Sequence, residues 1–548
     1  MRISLLLSVL VLLGLGCSDK EPVNNDPFLW NDVSIDGRVI TGKTFDVGDL
    51  PLIQLRFSEP IDRSTAAASI ILLDNQANTV STTLQVLPGD TLVTLKPSIA
   101  LAPYVQHVIK VNNTLLSASR KTLNNPDAAS FYTAIDSADK FPRIPDSQLL
   151  DSVQRRTFTF FWEDGHPVSG MARERNTSGD LVTSGGTGFG VMAMVSAVHR
   201  GFITREQARD RLLTMTDFLL TKAKRYHGAY AHWLNGSTGA TIPFSTNDDG
   251  ADLVETSYLV MGLLTAREYF NSADAGETEL RNRITSIWEA VEWDWFRKNN
   301  ENALYWHWSE GKGWIMNMKI QGWNECLVTY VLAASSPTHP IPAEVYNQGF
   351  ARNGGMRNGR SFYGYTLPLG SDYGGPLFFA HYSFLGIDPR GLKDAWADYE
   401  QQVVNHSKIN HAYCKSNPKK WYGYSDSCWG LTASDNSRGY SAHEPNNDQG
   451  VISPTAALSS MPFTPTESMK ALHFFYYTMG DRLWKRNGFV DAFEMATPWF
   501  ANSFLAIDQG PIIVMIENHR SQLCWNLIRN SPEIKEGLRK LGFTAPYL

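Results

Sequence analysis

Two textures of hydrophobic patterning divide the chain. Between about residues 28 and 137, apolar and polar positions alternate in short runs at 52–57, 70–73, 82–87, 92–95, 105–111 and 131–134, separated by turn formers such as Pro88-Gly89-Asp90 and Asn75-Gln76. A period of two broken by regular turns predicts strands packed as a small β-sandwich. Residues 138–146, with Pro142 and Pro145, read as a linker, and from residue 147 onward the period becomes helical. The pattern predicts helices at 149–161, 187–199, 205–224, 251–270, 277–295, 323–335, 374–385, 392–406, 454–461, 467–480, 509–529 and 532–541. About twelve helices in six pairs is the count of an (α/α)6 barrel, whose inner helices would be apolar all round and whose long loops would gather at one mouth. The expected fold class is therefore multidomain, a β-sandwich over 28–137 followed by an all-α (α/α)6 barrel (toroid) over 147–548.

The first residues change the picture of where the protein works. Arg2, an apolar run from Ile3 to Leu15 and then Gly16-Cys17-Ser18 read as a signal peptide with an imperfect lipobox over residues 1–17, since Gly14 stands where leucine is usual. The run is too short to span a bilayer. Cys17 is the expected lipid-carrying residue, residues 18–27 a tether, and the periplasm or outer-membrane surface of a Gram-negative bacterium the expected location; plain secretion is the alternative. A formal charge of -6 without a basic cluster argues against nucleic acid. The remaining cysteines, Cys326, Cys414, Cys428 and Cys524, have no zinc-like spacing, and export leaves a Cys414–Cys428 bridge open. No metal or cofactor is expected, and the protein is expected to act as a monomer.

Candidate chemistry gathers where apolar helices are expected to begin. In the segment from Asn247 to Glu255, Asp248, Asp252 and Glu255 stand at i, i+4 and i+7, which would place them on one face of the helix opening there. Like charges so close raise some pKa values, as proton transfer to a neutral substrate requires. Asp252 followed three residues on by Glu255 is equally a capping-box pattern. Glu325 is expected in the first turn of an apolar helix at 327–334, and Asp508 before 512–516 with Pro511 suited to the first helical position. The loop at 439–450 adds Tyr440 and His443. Aromatic residues make up 12% of the chain, 16 of them tryptophan, so Trp162, Trp233, Trp306, Trp308 and Trp323, the last beside Asn324, are candidates for stacking on sugar rings as well as for the core.

Two resemblances follow from longer segments. Phe57-Ser58-Glu59-Pro60-Ile61-Asp62 resembles a signature of bacterial Ig-like domains. The segments Ser184 to Gly190, Asn247 to Glu255, Gly322 to Ser336 with Pro337-Thr338-His339-Pro340, Gly374 to Phe378, Tyr382-Ser383-Phe384 and Trp499 to Asn518 resemble the glucoamylase-like family that includes glycoside hydrolase family 144, over about residues 145–545. That resemblance implies an (α/α)6 barrel, a glucan oligosaccharide or polysaccharide substrate, inversion at the anomeric carbon and no required cofactor. It carries the functional acids onto Asp248, Asp252, Glu255, Glu325 and Asp508. Inversion needs one carboxylic acid and one carboxylate roughly 6.5–9.5 Å apart. Glu325 is the expected general acid, Asp508 the expected base, and Asp248, Asp252 and Glu255 hydroxyl binders or proton relays. The function expected is endo-β-1,2-glucanase. An exo-acting enzyme releasing sophorose, for which a loop at 411–429 closing the groove would speak, is the first alternative, and a polysaccharide lyase and a non-catalytic glycan-binding lipoprotein are the others.

Overall fold

The computed structural model describes residues 26–548, which form two compact units meeting between Ser137 and Ala138. The expected signal peptide, Cys17 and nearly all of the expected tether lie outside the described residues. Among those described, no helix is long and apolar enough to cross a membrane.

The first unit is a β-sandwich of ten strands: β1 Trp30–Ile35, β2 Arg38–Val39, β3 Thr44–Val47, β4 Ile53–Phe57, β5 Ile70–Leu73, β6 Thr79–Val80, β7 Thr82–Val86, β8 Leu92–Pro97, β9 Gln106–Val111 and β10 Asp127–Thr133. They form two five-stranded sheets, ordered β2-β1-β4-β8-β7 and β3-β10-β9-β5-β6. Alternation along β4 sends Ile53, Leu55 and Phe57 into the same core as Leu72, Val93, Leu95, Ile109 and Phe131. The Ig-like signature is structural. Phe57 ends β4, Ile61 is buried, and Asp62 caps a short helix, α1 (Arg63–Ser69), by accepting the Ser64 N–H at 2.9 Å. Strands β1, β2, β3 and β6 and helix α1 escape the sequence reading; Gly37 at φ 81° and a register shift after Trp30 interrupt the alternation that betrays a strand.

The second unit is helical. After α2 (Asp146–Trp162) come α3 (Ser184–His199), α4 (Arg205–Thr221), α5 (Leu253–Tyr269), α6 (Ala275–Glu289), α7 (Leu327–Ser335), α8 (Tyr399–Ser416), α9 (Pro454–Ser459), α10 (Pro465–His473), α11 (Gly480–Leu483), α12 (Ala506–Ser521), α13 (Leu523–Asn530) and α14 (Pro532–Lys540). Helices buried on every side (α3, α5, α7, α9) and the nearly enclosed α12 alternate with helices buried on one face (α2, α4, α6, α8, α10). The buried helices approach one another closely because α3 is glycine-rich: a Cβ at Gly188 would stand 2.1 Å from the Tyr258 carbonyl oxygen, and one at Gly262 2.1 Å from that of Gly188.

Several expected helices fall differently. The segment 374–385 forms two 3-10 turns, Leu377–Ala380 and Tyr382–Leu385, because Gly374 and Gly375 stand at φ 102° and 85°. The helix expected at 392–406 starts instead at Tyr399, where Asp398 accepts the Gln401 N–H at 3.0 Å. The run 509–529 is two helices, broken at Gln522 with φ 61°. Cys414 and Cys428 are both free and buried, so the structure contains no bridge between them; the Cys428 thiol contacts Met495 Sδ at 3.7 Å.

Candidate active site

The ends of α3, α5 and α12, the segment preceding α7 and a hairpin, Ala433–Asn436 paired with Gly439–Ala442, surround a cavity of about 410 Å³. Its wall is mostly aromatic: Trp233, Phe244, Tyr258, Trp306, Phe378, Tyr382 and Tyr440. Three carboxyl groups, Glu174, Glu255 and Glu325, reach it. Tyr258 Oη and Trp233 Nε1 have no hydrogen-bond partner in the protein, so two donors on this wall are unused.

Asp248, Asp252 and Glu255 do not share a helix face. Helix α5 begins only at Leu253, with Asp252 as its N-cap accepting the Glu255 N–H at 2.9 Å, and Asp248 sits in the turn before it, held by Ser245. The capping box is half formed, since the Glu255 carboxylate crosses to α3 and accepts the Gly185 N–H at 2.9 Å. A Cβ at Gly185 would lie 2.2 Å from that carboxylate oxygen, so a side chain there would displace the Glu255 carboxylate. Tertiary pairing gathers the acids: Ala251–Asp252 pairs antiparallel with His307–Trp308, which sets the His307 Nε2 atom 3.5 Å from Asp248 and 3.7 Å from Asp252. His232 stands between Asp252 (3.5 Å) and Glu255 (4.0 Å) and stacks on Phe244.

This packing sets the charges. Burial alone would lower the pKa of His232, but the Glu255 and Asp252 carboxylates outweigh it and raise it to about 9, leaving an imidazolium on the cavity wall at neutral pH. Burial, with repulsion from Asp252, pushes Glu255 up to about 7, whereas the His232 hydrogen bond and His307 overcome burial and hold Asp252 low. Glu325 is also pushed up to about 7, by burial first and then by the charges of Glu255 and Asp252. It precedes α7 instead of lying in its first turn; Cys326 is the N-cap, and the Asn324 Oδ1 atom accepts the Cys326 N–H at 3.0 Å.

Asp508 is in the first turn of α12, and Pro511 lies inside that helix and not at its first position. The Asp508 carboxyl is buried behind the wall; Leu505 and Ile507 line the cavity, and Asp508 does not. Burial and contact with Asp491 raise its pKa far above the carboxylate range.

Of the aromatic and polar candidates, Trp306 and Tyr440 line the cavity, as does Trp233. Trp323 is buried against Phe384 and Tyr399, and Asn324 serves the start of α7. Trp162 stacks on Phe158 under the Arg211 guanidinium, 4.4 Å from its ring. His443 is fully buried, and burial lowers its pKa to about 4. None of these four lines the cavity: Trp162 and Trp323 take the core role left open for them, and Asn324 and His443 stand away from the wall where substrate contact was expected. Sequence reading missed Glu174, His232, His307 and Asp491. His307 stands between two tryptophans already singled out, and Asp491 is an acid within the apolar run from Phe489 to Phe493, so a signal existed for both.

One trio has the spacing of a cation site among the described residues: ligand atoms of Asp248, Asp252 and His307 come within 4.8 Å of one another. A metal-ligating histidine almost always donates its second N–H to an outer partner, and the His307 Nδ1 atom has none. The trio fits an imidazole serving two carboxylates better than a built metal site.

Comparison with known proteins shows what the chain resembles. Residues 317–532 match the family described as "Putative glucoamylase", and residues 43–133 the family described as "Bacterial Ig-like domain". The chain is 43% identical over 428 residues to an exo β-1,2-glucooligosaccharide sophorohydrolase (non-reducing end) of Parabacteroides distasonis; the match covers 74% of this chain and 59% of that relative. An endo-β-1,2-glucanase of Chitinophaga pinensis, solved with sophorotriose and glucose, is 49% identical with a TM-score of 0.73, covering 74% of this chain and all of that one. A β-1,2-glucanase of Parabacteroides distasonis is 36% identical with a TM-score of 0.71, covering 94% of this chain and 73% of that one.

Proposed function

The chain belongs to the glucoamylase-like family, of the glycoside hydrolase family 144 type and with a bacterial Ig-like domain before it, and from that membership we propose that it is an inverting hydrolase of β-1,2-glucan, cutting within the chain. The observation that carries the chemistry is Glu325, a carboxyl pushed up to about 7 by burial and by the neighbouring Glu255 and Asp252 on the wall of an aromatic-lined cavity. The alternation of wholly buried with one-faced helices supports an (α/α)6 barrel around that cavity, in which the segment Leu377–Leu385 takes the place of one inner helix.

In this reading Glu325, raised to about 7, is protonated in a large share of molecules at neutral pH and gives its proton to the leaving glycosidic oxygen. Water attacks the anomeric carbon from the opposite face, so a β-linkage yields an α-product. Asp508 takes the water's proton. Because Leu505 and Ile507 stand in front of it, the proton passes through a hydroxyl on the wall; the phenols of Tyr382 and Tyr440 both lie within electrostatic reach of the Asp508 carboxyl. Glu255 and the His232 imidazolium, with Asp252 and Asp248 behind them, offer an acceptor and a donor to sugar hydroxyls. Trp233, Trp306 and Phe244 supply faces for the rings. Lipidation at Cys17 would hold this site at the bacterial envelope.

Exo action with release of sophorose is the second reading, favoured by the activity named for the relative that is 43% identical. One panel of linear glucans separates them. Mixed-length products early in the hydrolysis of long β-1,2-glucan are expected, with the α-anomer seen first by NMR and starch left intact. Sophorose as the sole early product would establish exo action, and ready cleavage of starch without β-1,2-glucan would overturn the assignment.

A further inference from the structure

Behind the wall segment of Leu505 and Ile507, two buried carboxyls face each other. Asp491, 4% exposed, lies between the short strands Gly488–Phe489 and Phe493–Glu494; Asp508, 3% exposed, lies in the first turn of α12. The Asp491 Oδ2 atom accepts the backbone N–H of Asp435 at 2.7 Å, and the Asp491 N–H donates to the Ser503 carbonyl at 3.0 Å. The Asp491 Oδ1 and Asp508 Oδ2 atoms are shut off from solvent, and no donor group reaches either. The side-chain interaction left to each of these carboxyls is with the other. Two ionised carboxylates cannot occupy that arrangement out of water, so one proton must lie between them.

The surroundings make this proton hard to lose. Arg175 is the cation packed here, and it is already committed: it binds both oxygens of Glu174 (2.8 and 3.2 Å) and both of Asp435 (3.1 and 3.4 Å). Asp435 also accepts the Ser503 hydroxyl at 2.5 Å. The other titratable groups facing the pair are Tyr440, opposite Asp435 in the hairpin, and Tyr382; Glu494 is engaged by Ser437 and Thr497. Four carboxyls, of Glu174, Asp435, Asp491 and Asp508, thus gather beside one guanidinium that binds only the first two.

We propose that Asp491 and Asp508 work as a single proton-sharing pair, with Asp491 the positioning residue that takes over the Asp508 proton. At rest the proton sits on Asp508 and the charge on Asp491, because Asp491 has the backbone donor and Asp508 has none. When the water-derived proton arrives at one Asp508 oxygen, the proton on its other oxygen crosses to Asp491. Atoms and charge balance: one proton enters a pair of net charge -1 and leaves it neutral, to be lost to solvent before the next turnover. A buried, protonated aspartate can serve as a base only by this exchange. The proposal rests on the reading of Asp508 as the base.

Two measurements on the full chain test it. In wild-type protein carrying carbon-13 aspartate, NMR titration should show two aspartate carboxyls sharing one proton well above the ordinary carboxylate range, both signals changing in Asp508→Asn. Carboxyls that titrate independently near pH 4 would overturn the pairing, and this readout needs no catalysis. The acid limb of the kcat/KM profile should move up by at least about one pH unit in Asp491→Asn, because the charge of the active form must then sit on Asp508, which lacks the backbone donor that Asp491 has. A lowered plateau with the limb in place would show a merely structural Asp491 and overturn the proposal. If Asp508→Asn keeps full rate while the NMR pairing is seen, the base reading fails and the catalytic role of the pair fails with it, though the shared proton stands.

Discussion

Glu325 keeps its proton because it is shut away from water beside Glu255 and Asp252, both of which would repel its anion. The sign of the pH dependence follows. A carboxyl raised to about 7 is protonated below that pH and lost as a donor above it, so kcat/KM should fall as pH rises through about 7. Glu325→Gln should keep the fold and the melting temperature while losing at least about a hundredfold in rate, the usual scale of one general acid; unchanged activity would move the acid to Glu255. The residue types were legible here and their neighbours were not. The acids at Asp248, Asp252, Glu255, Glu325 and Asp508 all lie at or behind the cavity, but His232 and His307, which fix the charges of that cluster, come from segments distant in sequence.

At the scale of elements, the glycines of α3 look at first like a penalty, each costing about 1 kcal/mol against alanine in a helix interior. Their neighbours explain them: Gly186 meets Ala506, Gly188 the backbone of α5, and Gly190 the ring of Phe161. The facing glycine, Gly262, gives a clean test. Propensity alone would make Gly262→Ala stabilising by about 1 kcal/mol, but its Cβ would stand 2.1 Å from a backbone oxygen that cannot rotate away. A net loss of about 1–3 kcal/mol is expected, seen as a lower melting temperature in calorimetry. Stabilisation would show that α3 and α5 have room to separate. The pattern of apolar residues located most of these helices, yet it ran 509–529 together as one and set α8 several residues early. Those errors arise where one residue acts on the backbone, Gln522 by its left-handed conformation and Asp398 by its cap.

For the whole molecule, the sandwich and the helical unit each have a core of their own. A chain beginning at Ala138 should therefore fold and retain most of its activity on β-1,2-glucan. A loss beyond about tenfold, roughly 1.4 kcal/mol of transition-state stabilisation, would show that the sandwich contributes to the cleft. In the full chain, Cys17→Ala should shift the protein from the membrane fraction to the supernatant with its activity intact; unchanged fractionation would count against a lipid anchor.

The sequence by itself determined the local and periodic properties: alternation in the first unit, helical periodicity in the second, the polar joint between them, and carboxylates bordering apolar helices. These follow from backbone geometry and burial, which act over a few residues. Which carboxyl lines the cavity, which caps a helix and which shares a proton was decided only in three dimensions. Trp306 and Trp323 are the same residue type in similar settings along the chain, and one faces the cavity while the other packs against Phe384 and Tyr399. Asp491 and Asp508 are unremarkable acids until the fold brings them together in a place that water cannot reach, where electrostatic energy depends on distances that no spacing along the chain encodes.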